Sequence, residues 1–222
     1  MYHLYYAKGN EVTPQRVQER SVWYEKGRRA EDVFVERYGN TLRVRINPAK
    51  EREPWQPDLL HGNYLADLKC QNTPLFIADQ LGVEATYAVT FNLKDALEYG
   101  TQGQNWPLFS IYFWLDWVAV RMEQGGSVYK VQPLTGVWHI GFIELEILCK
   151  KAPIWWYSER SRTVQDHPEE ATKLLRFEPR LAELDFVWSV RDSFGNAACS
   201  YVVDVRQMQR VVPPEPFRLR WD

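Results

Sequence analysis

Hydrophobic and polar positions change their period several times along the chain, and each change marks an element. Through Gly27–Asn40 the apolar residues recur at helical spacing. Tyr24, Gly27, Ala30, Phe34 and Tyr38 make one stripe, with Asp32 and Glu36 toward the polar side. Gly39-Asn40 supplies a stop signal for this helix, and Thr13-Pro14 an N-cap and first-turn proline for the helical region upstream. The period then falls to two. Arg43 and Arg45 alternate with Leu42, Val44 and Ile46, which predicts a half-exposed strand with both arginines on one face. Between Trp55 and Cys70 lie two short extended runs separated by Gly62-Asn63, a dipeptide suited to the positive φ of a two-residue hairpin turn.

Beyond the hairpin, Thr73 to Leu81 reads as a short helix or loop ended by Gly82. Ala85 to Phe91 reads as a strand with Tyr87, Val89 and Phe91 on one face, and Leu93 to Tyr99 as a short helix closed by Gly100. Leu108 to Val120 predicts one long buried strand. After the Glu123-Gln124-Gly125-Gly126 turn come a Val128–Val131 strand and a strand region from Gly136 to Leu148, which puts Glu144 and Glu146 on one solvated face. The segment after Ala152 holds an aromatic stretch from Pro153 to Tyr157 and a short helix ending at Phe177. A hairpin pairing Phe186–Asp192 with Ala197–Arg206 follows, then an extended tail at Pro213–Pro216. The sum is an α/β chain with a mixed central sheet flanked by helices and a C-terminal β-hairpin elaboration. With 222 residues and 45% hydrophobic content, one domain accounts for all of it: a core at about 13–150 and an elaboration at about 151–222.

Composition narrows the function classes. A formal net charge of −2 argues against coating nucleic acid by bulk electrostatics, so any such contact needs a local basic face. Arg28 and Arg29 at the helix start, then Arg43, Arg45 and Lys50 leading into the hairpin, are the candidates; a plain solvated face is the competing reading. Residues 1–8 lack the pattern of a secretory signal, and the longest apolar run, Pro107 to Val120, is broken by Asp116 and too short to span a bilayer. Three widely spaced cysteines, Cys70, Cys149 and Cys199, fit reduced thiols in a cytoplasm-like compartment and give no zinc pattern. No P-loop, dinucleotide fingerprint or Ser-His-Asp spacing occurs, and most of the ten tryptophans, Trp114, Trp117 and Trp138 among them, fall in core-like strands.

The hairpin carries the chemistry. With Gly62-Asn63 as its loop, His61 opposes Tyr64, Leu60 opposes Leu65, and Asp58 opposes Asp67. Opposed side chains have Cβ atoms roughly 4.5–5.5 Å apart, and like charges there destabilise a sheet. A divalent cation is the usual reason for such a pair, since Mg²⁺ takes one or two carboxylates and leaves its other positions to water and phosphate. Lys69, two residues past Asp67, projects from the same face. Upstream, Glu31 falls inside the apolar stripe of the helix, and an inward carboxylate needs a partner; at the stripe's edge it would reach water instead.

Pro57-Asp58 followed by Asp67-Leu68-Lys69, with eight residues between the two acids, resembles the PD-(D/E)XK nuclease superfamily of restriction-endonuclease-like phosphodiesterases. The resemblance spans about residues 20–150, with motifs only in about 20–75. It implies a restriction-endonuclease-like mixed sheet and a Mg²⁺-dependent hydrolysis of DNA phosphodiester bonds, with Mn²⁺ able to substitute. Asp58 and Asp67 would ligate the cation, the backbone carbonyl of Leu68 would be a further ligand, and Glu31 a ligand or a supporting acid. Lys69 would position or activate the attacking water, and Gln71, next on its face, would position water or substrate. His61 beside the turn is either a hairpin residue or an auxiliary base. The C-terminal elaboration would read substrate, form a homodimer or extend the sheet. Two alternatives use the same residues: a nuclease acting on RNA or branched DNA, and a non-catalytic nucleic-acid-binding or assembly protein on a nuclease-like scaffold.

Overall fold

The computed structural model describes residues 2–12, 20–53, 55–102, 106, 108–117, 119–156, 168–182 and 199–212. A long helix, α1 (Arg20–Leu42), leads into β2 (Val44–Ile46), β3 (Leu59–His61) and β4 (Tyr64–Gln71). These join β6 (Ser110–Asp116), β9 (Thr135–Gly141) and β12 (Gln209–Val212) in a six-stranded sheet of order β12-β9-β6-β4-β3-β2. Every neighbouring pair is antiparallel except β4 and β6, which run parallel. A parallel pair needs a crossover. This one contains β5 (Ala88–Asn92) and α2 (Leu93–Gln102), and α2 brings side chains over β4.

The two faces of the sheet bury different clusters. On one, Ala30, Phe34 and Tyr38 of α1 pack on Leu59, Leu68, Tyr112 and Trp114. Phe34 sits at the centre, its ring 5.4 to 5.8 Å from those of Tyr38, Trp114 and Tyr112. On the other, Ile111, Phe113 and Leu115 meet Val89 and Phe91 of β5, Leu93 and Ala96 of α2, and Leu145 of α3 (Phe142–Lys151). β6 is therefore buried along its whole length, as a central strand covered on both faces must be. β5 also pairs with β11 (Cys199–Asp204), and β11 with β10 (Ile154–Trp156), in a second, three-stranded sheet. Cys199, Tyr201 and Leu174 of α4 (Pro168–Phe177) belong to the same cluster as Phe91, so the described C-terminal elements complete the core. A third sheet joins β1 (Tyr2–Tyr6), β7 (Ala119–Gln124) and β8 (Ser127–Lys130).

The structure corrects several element assignments. α1 runs through Gly39-Asn40 to Leu42, and Arg43, at φ +55°, takes the left-handed conformation that ends it. Gly39 answers to packing: a Cβ there would lie 3.0 Å from the Val44 carbonyl oxygen. Arg43 thus belongs to the helix end, and only Arg45 of the two arginines lies on β2. Arg28 and Arg29 sit within α1, not at its start. α2 continues past Gly100 to Gln102. The run from Leu108 to Val120 is two strands in different sheets, divided at Trp117, whose indole N–H donates to the Thr86 carbonyl at 2.8 Å. The predicted strand from Gly136 to Leu148 ends at Gly141 and becomes α3. Phe142, Leu145 and Cys149 are buried at helical spacing while Ile143 and Ile147 are exposed, so Glu144 and Glu146 are helical. Short apolar runs fit either period, and here the alternation of Ile143, Leu145 and Ile147 with Glu144 and Glu146 imitates a strand. Thr13-Pro14, the strand Phe186–Asp192 and the tail Pro213–Pro216 lie outside the described residues. Among the described residues no helix is long and apolar enough to cross a membrane, and Cys70, Cys149 and Cys199 are free.

Candidate metal and active site

The hairpin closes as its turn residues predict: His61 faces Tyr64, Leu60 faces Leu65 and Leu59 faces Ala66. Gly62 takes φ +60° and Asn63 does not take a positive φ, the pattern of a type II′ turn with glycine at its first position. The same register sets Asp58 opposite Asp67, one step beyond the last paired residues. In an antiparallel ladder the N–H and C=O of alternate residues turn to the same neighbour, so Ala66 and Leu68 both address β3. Opposite Leu68 stands Pro57, which has no N–H to give. The Pro57 carbonyl accepts from Asn47 Nδ2 at 2.9 Å, and the Leu68 N–H donates to Asp58 Oδ2 at 3.2 Å. Proline at this position interrupts the ladder and leaves the Leu68 carbonyl facing a residue with no backbone donor.

Asp67 is the most deeply buried carboxylate of the site, beside a half-buried Lys69 and Asp95. Asp67 is 2% exposed, and its Oδ1 lies 3.4 Å from the Asp58 N–H. Its Oδ2 lies 2.8 Å from Lys69 Nζ but makes no directed hydrogen bond. Burial first, and the nearby Asp58 charge second, push the Asp67 carboxyl up to about 6 despite Lys69. Lys69 also donates to Asp95 Oδ2 at 2.6 Å and to the Tyr99 hydroxyl at 3.4 Å. Burial works against its charge, but Asp67 and Asp95 outweigh it and raise the ammonium well above the ordinary lysine range. Asp95 and Tyr99 were not among the sequence candidates. Their four-residue spacing puts them on one face of α2, yet nothing in that spacing says which strand the face covers.

The Asp58 side is built from a different element. Pro48–Glu51 forms a 3₁₀ turn capped by Asn47, whose Oδ1 accepts from the Ala49 N–H at 3.1 Å. That turn aims Lys50 inward, where its ammonium donates to Glu31 Oε1 at 2.6 Å and to Asp58 Oδ1. Lys50 was expected among the phosphate-contacting residues; its charge is instead spent on two carboxylates. Burial again opposes the charge, and Asp58 and Glu31 raise the pKa of Lys50 despite it. Glu31 does face inward, with its side chain 13% exposed, and Lys50 is its partner. Gln71 is also otherwise engaged. Its Nε2 donates to the Thr90 carbonyl at 2.6 Å and its Oε1 accepts from the Thr90 N–H at 3.2 Å, so the amide tethers β4 to β5. Arg28, Arg29, Arg43 and Arg45 are exposed. His61 lies across the sheet on the α1 side, its Nδ1 3.1 Å from the Tyr112 hydroxyl.

Glu31, Asp58, Asp67 and Asp95 set four carboxylates against the two ammonium groups of Lys50 and Lys69, a surplus of two negative charges. Burial, and after it the charges of Asp58, Glu31 and Asp67, raise the Cys70 thiol well above its usual range. Among the described residues no group of three or more His, Cys, Asp or Glu side chains stands close enough to hold a metal ion. The donors suit a different mode: a hard cation held by two carboxylates and a backbone carbonyl, with water in its remaining positions. Asp67 Oδ2 already faces the Lys69 ammonium at 2.8 Å, so a cation held there would share that oxygen with Lys69. No family model, curated protein or solved structure matches this chain.

Proposed function

We propose that the protein is a Mg²⁺-dependent nuclease that hydrolyses DNA phosphodiester bonds, on a restriction-endonuclease-like version of the mixed sheet. The observation that carries this reading is the in-register pair Asp58 and Asp67, with Lys69 against Asp67 and Pro57 freeing the Leu68 carbonyl. Asp58, Asp67 and the Leu68 carbonyl would hold the cation, and Glu31 would support Asp58. A bound Mg²⁺, or Mn²⁺ in its place, would supply Lewis-acid polarisation of the phosphate and a more acidic water. Lys69 stays an ammonium at neutral pH, because Asp67 and Asp95 hold its proton. Its role is therefore to orient the attacking water and offset charge on the phosphoryl oxygens, not to accept a proton. Asp95 and Tyr99 position it. DNA would approach the side where Lys50, Asp58 and Glu31 retain partial exposure.

A second reading has an observation of its own. Both lysines already neutralise carboxylates, as they would in a purely structural ion-pair network supporting a non-catalytic binding or assembly protein. Against it, a network kept for stability has little use for two carboxylates set opposite one another on paired strands, where like charges weaken the sheet. Plasmid, linear, single-stranded and four-way-junction DNA, and RNA, each incubated with Mg²⁺ or Mn²⁺, separate the two readings and identify the substrate class. Wild type should cleave, and Asp67→Ala and Lys69→Ala should lose roughly 100-fold or more of the rate. Undiminished cleavage in both variants would remove the assigned roles, and inert wild type on every substrate, RNA included, would favour the binding protein.

A further inference from the structure

We propose that Lys50 is an internal cation that competes with the metal for Asp58, so that metal entry releases a lysine beside the incoming phosphate. The inference rests on the metal site proposed above. It begins from how firmly Lys50 is delivered. Asn47 is 3% exposed and makes four ties: its Oδ1 accepts from Ala49 N–H, its Nδ2 donates to the Pro57 carbonyl, its own N–H donates to the Asp58 carbonyl at 2.9 Å, and its carbonyl accepts from Lys50 N–H at 3.2 Å. The turn that carries Lys50 is thereby fastened to the residue whose carboxylate Lys50 meets. A surface lysine needs no such fastening.

The two lysines of the site then differ in what they would lose. Lys69 keeps Asp95 and Tyr99 on α2 when Asp67 is taken by a cation. Among the described residues the Lys50 ammonium donates to Glu31 and Asp58, and Asp58 is the residue a cation would claim. A divalent ion there removes one partner of Lys50 and places a like charge beside it. Its four-carbon stem lets the ammonium swing outward, and its side chain is already 23% exposed. A released ammonium next to the cation is a point charge for a phosphate group. By linkage, whatever holds Lys50 on Asp58 weakens the metal by the same factor, and DNA phosphate that captures Lys50 strengthens it.

Calorimetric titration of Mn²⁺ into wild type, Lys50→Met, Asp58→Asn and the double variant tests this without any assay of cleavage. Lys50→Met should bind Mn²⁺ about tenfold tighter, the order expected for removing one charge at a partly screened site. Asp58→Asn should abolish that gain. In parallel, Lys50→Met should melt below wild type without metal, since two carboxylates lose their counter-ion, and should gain more melting temperature from Mn²⁺. Equal affinities and equal thermal gains in wild type and Lys50→Met overturn the proposal while leaving the metal site intact. Heat in neither protein overturns both.

Discussion

The two arms of the site use one carboxylate–lysine chemistry in unlike settings. Asp67 and Lys69 project from a central strand into the cover of α2, and the Asp67 carboxyl is pushed up to about 6 there. Asp58 and Lys50 lie at the start of the hairpin and on a short turn, with side chains 16% and 23% exposed. Burial separates the carboxylates, Asp67 at 3% side-chain exposure and Asp58 at 16%, but not the lysines, Lys69 at 21% and Lys50 at 23%. The arm with the buried Asp67 is held by the sheet; the open arm, around Asp58, is held by a cap and can rearrange. A site that must both fix a water-orienting group and admit a large anionic substrate gains from this division.

Several perturbations separate the arms. Neutralising the buried one should have the largest effect on the reaction and the opposite effect on the fold. Asp67 has its folded pKa raised from 3.8 to about 6, so burial favours its protonated form. The protein escapes the cost of ionising Asp67 at low pH, loses stability as pH rises from about 4 through about 6, and stays penalised above that. Asp67→Asn should therefore stabilise the metal-free protein at pH 7.5 by about 1–3 kcal/mol, with little effect at pH 4, as read by denaturant unfolding. A variant less stable than wild type at both pH values would mean that the Lys69 contact outweighs burial.

Asn47→Ala strikes the open arm. Loss of the cap and of the bond to Pro57 should cost about 1–2 kcal/mol. Since Lys50 would be delivered less firmly, Mn²⁺ affinity should not fall with it. Asp95→Asn should leave the fold intact and cut cleavage by about tenfold by loosening Lys69, while Mn²⁺ affinity changes little. The smallest expected effect belongs to Pro57→Ala. It supplies an N–H opposite Leu68, and if the ladder closes, Mn²⁺ affinity should drop by about two- to fivefold with stability unchanged or slightly raised. A tighter site in that variant would remove the Leu68 carbonyl from the ligand set.

How much of this was legible in sequence follows from the range of each interaction. The hairpin was, because a two-residue Gly62-Asn63 turn fixes register locally, and register alone sets Asp58 opposite Asp67. Glu31 facing inward was also legible from the helical stripe. Its partner was not, because Lys50 reaches it from a turn 19 residues away whose direction depends on Asn47. Gln71 shares the face of Lys69, as strand alternation requires, but alternation cannot reveal that β5 comes to meet it. Asp95 and Tyr99 depend on the crossover that carries α2 over β4, a long-range fact. The strand assigned to Gly136–Leu148 failed for a local reason: Phe142, Leu145 and Cys149 make a helical stripe that the alternating Ile143, Leu145 and Ile147 mask.

The most direct test of the central claim uses Asp67→Asn, the substitution expected to keep or strengthen the fold. Wild type and Asp67→Asn, matched for folding by their unfolding curves, would be incubated with plasmid DNA in Mg²⁺ and again in chelator. Nicking or linearisation by wild type in Mg²⁺ alone, absent from the folded variant, is the predicted result. Cleavage by the variant at the wild-type rate, or by wild type in chelator, would contradict a cation held between Asp58 and Asp67.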